Sequence, residues 1–394
     1  MTQNSKRVLS IDILRGLIMA LMALDHTRDY FHITAATEDP TNLATTTPIL
    51  FFTRFITHYC APTFVFLSGV SIYLQSLRKS GAQLSLFLLT RGLWLVFMEL
   101  TLVNFGWSFN IYFNFLFLQV IWAIGCSMVI LSLAIRFPYW VVVSAGSAIT
   151  LLHNLTDIYI PENEGLKVAA NFLVMTDFSM YEVLGIRIMS AYAIVPWTGI
   201  MLLGFGAGKW FDTTRFNHLK RRSYLVYSGL SLITLFVILR LINDYGDPKP
   251  WVCMKTNTYT LLSYLNVTKY PPSLMYTCIT LGPALLVLAV LETQPFSWFL
   301  RAMNTLGRVP FFYYLLHIYV IHILCVGLYF TEGFAWGQLD TLPQMFAFRP
   351  SENFGFQLGY VYLVWIGVVT ICYFPCRWYD RYKSTHKKWW LGYL

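Results

Sequence analysis

The sequence predicts an all-α integral membrane protein, a bundle of about ten transmembrane helices in a single domain over residues 1–394. Of its 394 residues, 57% are hydrophobic and only 12% are charged, about half the charged fraction of a soluble domain. The mean hydropathy is +0.56. The apolar residues also form runs long enough to cross a bilayer. A polytopic membrane protein is therefore expected, with a helix bundle as its core.

Apolar stretches of about 20 residues define the candidate spans. They cover residues 8–26, 50–76, 84–105, 112–134, 138–153, 190–208, 222–243, 273–292, 309–330 and 356–378. The fifth stretch is short and the second is long. In the sixth, the spacing of Gly and Ala after Pro196 favours close packing against a neighbouring helix.

The distribution of charge predicts the orientation of these spans. Basic clusters fall on one side of the bundle, from Lys6 and Arg7 through Lys209 to Lys387 and Lys388, whereas the longer loops on the other side hold most of the acidic residues. The positive-inside rule then places both termini in the cytoplasm and the protein in the plasma membrane, the inner membrane of a bacterium.

Two further expectations follow from composition. The net charge of +9 is explained by the basic clusters, and nucleic-acid binding is not expected because no basic stripe with interleaved aromatics is present. Tryptophans near span ends, such as Trp107, are expected in the interfacial belt of the membrane.

The first predicted span carries a cation and an imidazole, Arg15 and His26. Their eleven-residue separation turns an α-helix about 20° past three full turns and rises roughly 17 Å, so both side chains share one face. Such groups are costly in a membrane unless the protein uses them. Asp25 and Asp29 flank the imidazole, and a carboxylate three residues away can orient it as a general base. The alternative is an interfacial salt-bridge cluster that anchors the helix.

The second predicted span opens with Arg54 and His58, four residues apart and at the same predicted depth as His26. The third span carries Arg91 near its cytoplasmic end and Glu99 deeper in the membrane, where a carboxylate is a functional candidate. For Arg54 and His58 the alternative is a snorkelling arginine beside a hydrogen-bonded histidine.

The ninth predicted span places His317 near the middle of the membrane, either as a functional residue or as a packed, hydrogen-bonded histidine. His322 follows five positions later and points elsewhere, so these two histidines do not form a metal pair on one helix. No metal is expected, and no nucleotide-binding, zinc-protease or serine-hydrolase motif occurs.

Three segments resemble a known family. They are Arg15 to His26 with the residues up to Asp29, Phe51 to Gly69, and Pro196-Trp197 together with the late block from Leu306 to His317. Over most of its length the chain resembles the transmembrane acyltransferase superfamily, and most closely the bacterial relatives of heparan-α-glucosaminide N-acetyltransferase. The resemblance implies transfer of an acyl group, usually acetyl from acetyl-CoA, to a sugar across the membrane. It also implies that His26 is the catalytic histidine.

One departure limits the resemblance. The lysosomal enzyme carries a luminal region before its first span, whereas seven residues precede the first span here, so heparan sulfate is not expected as the acceptor.

The working hypothesis is that acyl-CoA enters from the cytoplasm and that an extracytoplasmic sugar or glycan accepts the acyl group on an amine or a hydroxyl. Arg15, Arg91 and Arg308 would neutralise the phosphates of the donor. His26, oriented by Asp25 or Asp29, would deprotonate the acceptor, with Glu99 as a further catalytic candidate. His58 or His317 would stabilise the thioester oxyanion. Direct transfer and an acyl-histidine intermediate both remain open.

Two other classes compete with this hypothesis. A small-molecule transporter or permease could line its substrate path with the same charges, but no inverted repeat and no paired broken spans occur. A structural scaffold would leave the membrane-buried arginines and histidines without a use. The expected partners are the lipid bilayer, acyl-CoA and the sugar acceptor, and the sequence leaves homo-oligomerisation open.

Overall fold

The protein is described from a computed structural model over residues 8–158, 161–294, 297–341, 345–351, 353–386 and 388–392. The chain is mostly helical, with 70% helix and 4% strand. Lys6, Arg7 and Lys387 of the predicted basic clusters lie outside the described residues.

The first half of the chain contains the helices that carry the first predicted spans. The elements are α1 (Leu9–Phe31), α2 (Pro48–Thr57), α3 (Cys60–Ser76), α4 (Gly81–Met98), a π-helical turn (Glu99–Val103), α5 (Asn104–Ser108), β1 (Phe115–Leu118), α6 (Val120–Ala134), α7 (Tyr139–Leu152), α8 (Glu164–Leu173), β2 (Met180–Val183) and β3 (Ile186–Ser190).

The second half is helical in the described residues. Its elements are α9 (Ile194–Gly208), α10 (His218–Ile242), α11 (Asn257–Leu265), α12 (Leu274–Leu291), α13 (Trp298–Arg308), α14 (Pro310–Thr331) and α15 (Leu358–Thr385). Short 3-10 segments occur at His153–Ile158, Lys209–Phe211, Trp336–Thr341 and Trp389–Gly392.

Local sequence signals explain where several helices begin. Ser80 accepts a hydrogen bond from the Gln83 backbone N–H, and the Gln83 side chain bonds back to the Ser80 N–H, which forms a capping box at the start of α4. Asn217 and Ser273 cap α10 and α12 with their side chains. Pro310 occupies the first turn of α14, where its missing N–H costs no hydrogen bond.

Each of the ten predicted stretches contains a helix, but fewer helices are long and apolar enough to span a membrane. Among the described residues there are six: Pro48–Ser76, Gly81–Ser108, His218–Ile242, Leu274–Leu291, Pro310–Thr331 and Leu358–Thr385. Helix α1 has the length but carries charged side chains, and α6, α7 and α9 have 14 or 15 residues, about 22 Å. Ten spans and cytoplasmic termini therefore stay predictions.

A small sheet corrects the all-α prediction. The start of the fourth predicted span, residues 112–119, contains strand β1 instead of helix. Strand β1 pairs in parallel with β3, and β2 pairs with β3 in the antiparallel sense, which gives the order β1-β3-β2. Helices α8, α11 and α13 also lie outside every predicted span.

Helix α1 lies at the centre of the bundle and contacts α3, α13, α14 and α15. Its crossing with α13 requires glycine, because a Cβ atom at Gly307 would lie 1.8 Å from the Asp12 carbonyl oxygen. The α3–α9 crossing is equally close, since a Cβ at Gly204 would lie 2.0 Å from the carbonyl oxygen of Phe66. The predicted close packing of the sixth stretch is confirmed at Gly204.

Candidate functional site

Two histidines from distant parts of the chain meet where α1 packs against α14. His26 Nδ1 lies 2.8 Å from His317 Nε2, and the two rings stack with centroids 5.0 Å apart. His317 Nδ1 lies 2.9 Å from the Tyr313 carbonyl oxygen. A carbonyl oxygen only accepts hydrogen bonds, so His317 Nδ1 carries the proton.

This hydrogen-bond network determines the tautomer of the other ring. When both imidazoles are neutral, the unprotonated Nε2 of His317 accepts a hydrogen bond from the Nδ1–H of His26. The Nε2 atom of His26 then keeps its lone pair. The pair therefore leaves one nitrogen with a free lone pair, His26 Nε2.

The surroundings of the two histidines differ. His317 is fully buried, whereas His26 is partly accessible. The Trp107 ring lies edge-on to His26 at a centroid distance of 4.6 Å, and Tyr314 lies at 6.4 Å. Trp107 is 4% exposed, so its ring faces the protein interior and forms a wall beside His26.

The carboxylates beside His26 bind arginines. Asp25 accepts a hydrogen bond from Thr57 at 2.9 Å, and it pairs with Arg54 and, at 3.1 Å, with Arg28. Asp29 binds the Arg28 guanidinium. The prediction that Asp25 or Asp29 orients the imidazole by a hydrogen bond is therefore corrected. His317 holds the imidazole, and the carboxylates form the salt-bridge cluster that was the structural alternative.

The loop before α12 adds residues that the sequence analysis missed. Lys269 is 9% exposed, and its ammonium lies 4.8 Å from the centroid of the Tyr270 ring. Burial raises the pKa of the Tyr270 phenol, but the positive charges of Lys269 and Arg54 outweigh this effect and lower it below its ordinary value. Lys269 also acts electrostatically on Asp25. No spacing in the sequence links this loop to α1.

His58 lies at the break between α2 and α3, close to the same charged residues. Its backbone carbonyl accepts a 2.8 Å hydrogen bond from the Tyr276 hydroxyl, and the two rings meet edge to face at 5.6 Å. Its Nδ1 atom is buried and has no hydrogen-bond partner within the described part of the chain. His58 therefore has an unused polar atom beside the charged cluster.

Glu99 has a different environment. It is fully buried in the π-helical turn after α4, and its Oε1 accepts a 2.6 Å hydrogen bond from the Gln119 backbone N–H. This contact fixes the junction between β1 and α6. The turn leads directly into α5, which carries Trp107. Glu99 is therefore connected to the histidine pair through α5.

The three arginines predicted for donor binding divide into two groups. The Arg15 guanidinium donates to Asp12 at 3.1 Å, to Ser71 at 2.8 Å and to the Gly307 carbonyl at 3.2 Å. Arg308 follows Gly307 and pairs with Asp380 at 3.0 Å. At the α1–α13 crossing, Arg15 therefore contacts the backbone of the residue that precedes Arg308.

Arg91 is partly buried on α4, beside the glycine at which α4 crosses α6. It therefore lies at a helix crossing other than that of α1 and α13.

His322 points away from the histidine pair, as predicted. Its two ring nitrogens each lie 2.8 Å from a carbonyl oxygen, one of Gly106 and one of Ala347. In the described segments, no three His, Cys, Asp or Glu side chains form a group that could hold a metal ion.

These features define a helical membrane protein with a histidine pair and a charged cluster at the end of its central helix. The family model of the heparan-alpha-glucosaminide N-acetyltransferase catalytic domain matches residues 7–239, more than half of the chain. The chain belongs to this family of membrane acetyltransferases. The matched region includes His26 and His58, whereas His317 and Arg308 lie beyond it. A search of curated proteins finds no match.

Proposed function

We propose that the protein transfers an acetyl group from acetyl-CoA to the amine or hydroxyl of a sugar or glycan, with His26 Nε2 as the reacting nitrogen. Family membership supports the transferase class. The observation that carries the residue assignment is the chain of hydrogen bonds from His26 through His317 to the Tyr313 carbonyl. It leaves one nitrogen with a lone pair on the partly accessible ring.

In direct transfer, His26 Nε2 removes a proton from the acceptor as the acceptor attacks the thioester carbon. The ring becomes an imidazolium whose Nδ1–H still donates to His317. The tetrahedral centre then collapses and releases the CoA thiolate, which takes the proton from His26 Nε2 and returns the imidazole to its neutral form. In the two-step alternative, His26 Nε2 attacks the thioester carbon and CoA leaves as the thiolate, which gives an acetyl-imidazolium. The acceptor then attacks the acetyl carbon, its proton passes to the CoA thiolate, and His26 leaves as the neutral imidazole.

The remaining catalytic candidates take supporting roles in this proposal. His317 has no N–H left for an oxyanion, because its Nδ1–H donates to Tyr313 and its Nε2 accepts from His26. The oxyanion role therefore goes to His58, whose Nδ1 is buried and unused among the described residues. Asp25, Asp29 and Glu99 hold the surrounding segments in position.

For the donor, Arg15 and Arg308 are the first candidates because both belong to the α1–α13 crossing, where Arg15 contacts the carbonyl of the residue before Arg308. Each already pairs with a carboxylate, Asp12 and Asp380, so a phosphate of CoA would compete with an existing ion pair. Arg91 remains a separate candidate. In the predicted orientation this crossing faces the cytoplasm, where acetyl-CoA is available, and His26 faces the opposite side.

The test uses the purified full-length protein in lipid nanodiscs. Labelled acetyl-CoA is supplied with a panel of amino sugars and neutral sugars, and labelled products are separated and counted. The proposal expects acetylation of at least one sugar class and its loss in the His26→Ala variant. His218→Ala, which changes an exposed histidine at the start of α10, is the matched control. Uptake of an unmodified sugar by liposomes containing the protein, without acetylation, would favour the transporter.

A further inference from the structure

Two neighbouring cavities lie away from the histidine pair. The larger, about 480 Å³, opens between α7 and α9 on one side and α10 and α12 on the other, and apolar side chains such as Val143, Leu203 and Leu281 line it. The smaller, about 360 Å³, lies near the C-terminal end of α9. Three cationic side chains line the smaller cavity: Lys79, Lys209 and Arg215.

The two cavities adjoin at one aromatic residue. Tyr139, at the start of α7, lines both of them and is 37% exposed. Its hydroxyl donates a 2.7 Å hydrogen bond to the Gly206 carbonyl, and the Lys209 ammonium lies 4.9 Å from the centroid of its ring. Gly206 on α9 lines the apolar cavity, and Lys209, at the start of the 3-10 segment that follows α9, lines the cationic cavity. A polar and an apolar compartment therefore meet at the C-terminal end of α9.

The apolar cavity has the length of a lipid chain. Its α7 lining extends from Tyr139 to Leu151, a helical rise of about 18 Å. Half of a hydrocarbon core of about 30 Å is about 15 Å, the depth of one leaflet. An acyl chain lying in this cavity would extend from the cationic end towards the middle of the bilayer.

The excess positive charge of the smaller cavity favours the binding of an anionic group. Lys79 and Lys209 contact aromatic faces, with the ammonium of Lys79 4.2 Å from the centroid of Phe87. Arg215 pairs with Asp212 at 3.2 Å and is exposed. The cationic charge thus exceeds the acidic charge at this end. A basic pocket between membrane helices on the predicted cytoplasmic side is suited to an anionic lipid headgroup.

We propose that the two cavities form one binding site for an anionic phospholipid of the surrounding membrane. The phosphate occupies the cavity of Lys79, Lys209 and Arg215, and one acyl chain passes Tyr139 into the apolar cavity. Such a lipid would hold the α7–α9 pair against the α10–α12 pair. This site is separate from the proposed acetyl transfer and does not depend on it.

The test is lipid retention by the purified full-length protein, measured by native mass spectrometry. The protein is incubated in detergent with equal amounts of phosphatidylglycerol and phosphatidylcholine. Wild-type protein should retain phosphatidylglycerol preferentially. The double variant Lys79→Gln, Lys209→Gln should lose about 30-fold in that preference, because each lysine contributes to attraction of an anionic headgroup. Lys220→Gln, which changes an exposed lysine on α10 outside both cavities, should retain the preference.

Two further measurements separate the contribution of the lipid's acyl chain from that of its headgroup. Ser147→Trp, which fills the apolar cavity, should reduce the retention of phosphatidylglycerol while leaving both lysines in place. Excess inorganic phosphate should not displace the lipid. Equal retention of the two lipids, a double variant that behaves like Lys220→Gln, or displacement of the lipid by phosphate or CoA would overturn the proposal.

Discussion

Replacing His317 by leucine tests whether the histidine pair controls the reacting nitrogen. The change removes the acceptor that lies 2.8 Å from His26 Nδ1 and leaves the Nδ1–H without a partner. An unsatisfied buried donor costs about 1–3 kcal/mol. If that cost appears in the transition state, kcat should fall about 5- to 150-fold. The KM for acetyl-CoA should stay near its wild-type value, because His317 is fully buried and shares no partner with Arg15 or Arg308, the arginines proposed to bind the donor.

A second variant separates this effect from damage to the fold. Glutamine at position 317 offers a carbonyl oxygen to His26 and an amide N–H to the Tyr313 carbonyl, so His317→Gln should recover most of the lost kcat. The matched control is His322→Gln, on the same helix, whose ring nitrogens lie 2.8 Å from two backbone carbonyl oxygens, with the Tyr30 hydroxyl 3.4 Å from Nδ1. This control should lower the melting temperature, and its loss of kcat should be smaller than that of His317→Leu.

The assay is transfer from labelled acetyl-CoA to the best acceptor in the sugar panel, with melting temperatures recorded for every variant. If His317→Leu melts like the wild type and keeps its kcat, the histidine pair does not position His26. The same conclusion follows if glutamine and leucine at position 317 lower kcat equally.

Three further predictions concern the charged residues and the orientation. Arg15→Gln should raise the KM for acetyl-CoA and leave the pH dependence of kcat unchanged. A lower melting temperature with an unchanged KM would mean that Arg15 stabilises the α1–α13 crossing and does not bind the donor. Arg54→Gln should cost about 3–5 kcal/mol of unfolding free energy, because it leaves buried Asp25 with one partner fewer, and Arg54→Gln with Asp25→Asn should recover part of it in thermal unfolding measurements. A single cysteine at Asn266 should react with an impermeant thiol reagent added outside the cell, whereas a single cysteine at Lys209 should not. The reverse pattern would contradict the predicted orientation.

The helical stretches could be predicted from sequence because each apolar run has a strong local signal. The sheet could not, because Phe115–Leu118 is as apolar as the helix that follows it and pairs with a strand about 70 residues later. At the site, the positions of His26 and His317 on their spans raised them as candidates. Their contact spans 291 residues, and no local pattern encodes such a distance.

The contacts of the charged residues around His26 could not be predicted from sequence either. Asp25 and Asp29 lie within reach of His26 along α1, so helical spacing favoured them as its partners. In the structure both carboxylates pair with arginines, because a buried carboxylate is stabilised more by a guanidinium than by a neutral imidazole. Lys269 comes from a loop whose position depends on Arg240, which donates to four backbone carbonyls between residues 249 and 266. Such placement follows from tertiary packing alone.

The most direct test of the central claim is the rate of acetyl transfer by His26→Ala under single-turnover conditions. The claim that His26 Nε2 acts on the substrate predicts a loss of about 10²–10⁴-fold relative to wild type. The variant should stay folded and inserted in the membrane, since His26 is partly accessible near the end of α1. Transfer within a fewfold of the wild-type rate by a folded His26→Ala protein would contradict the claim.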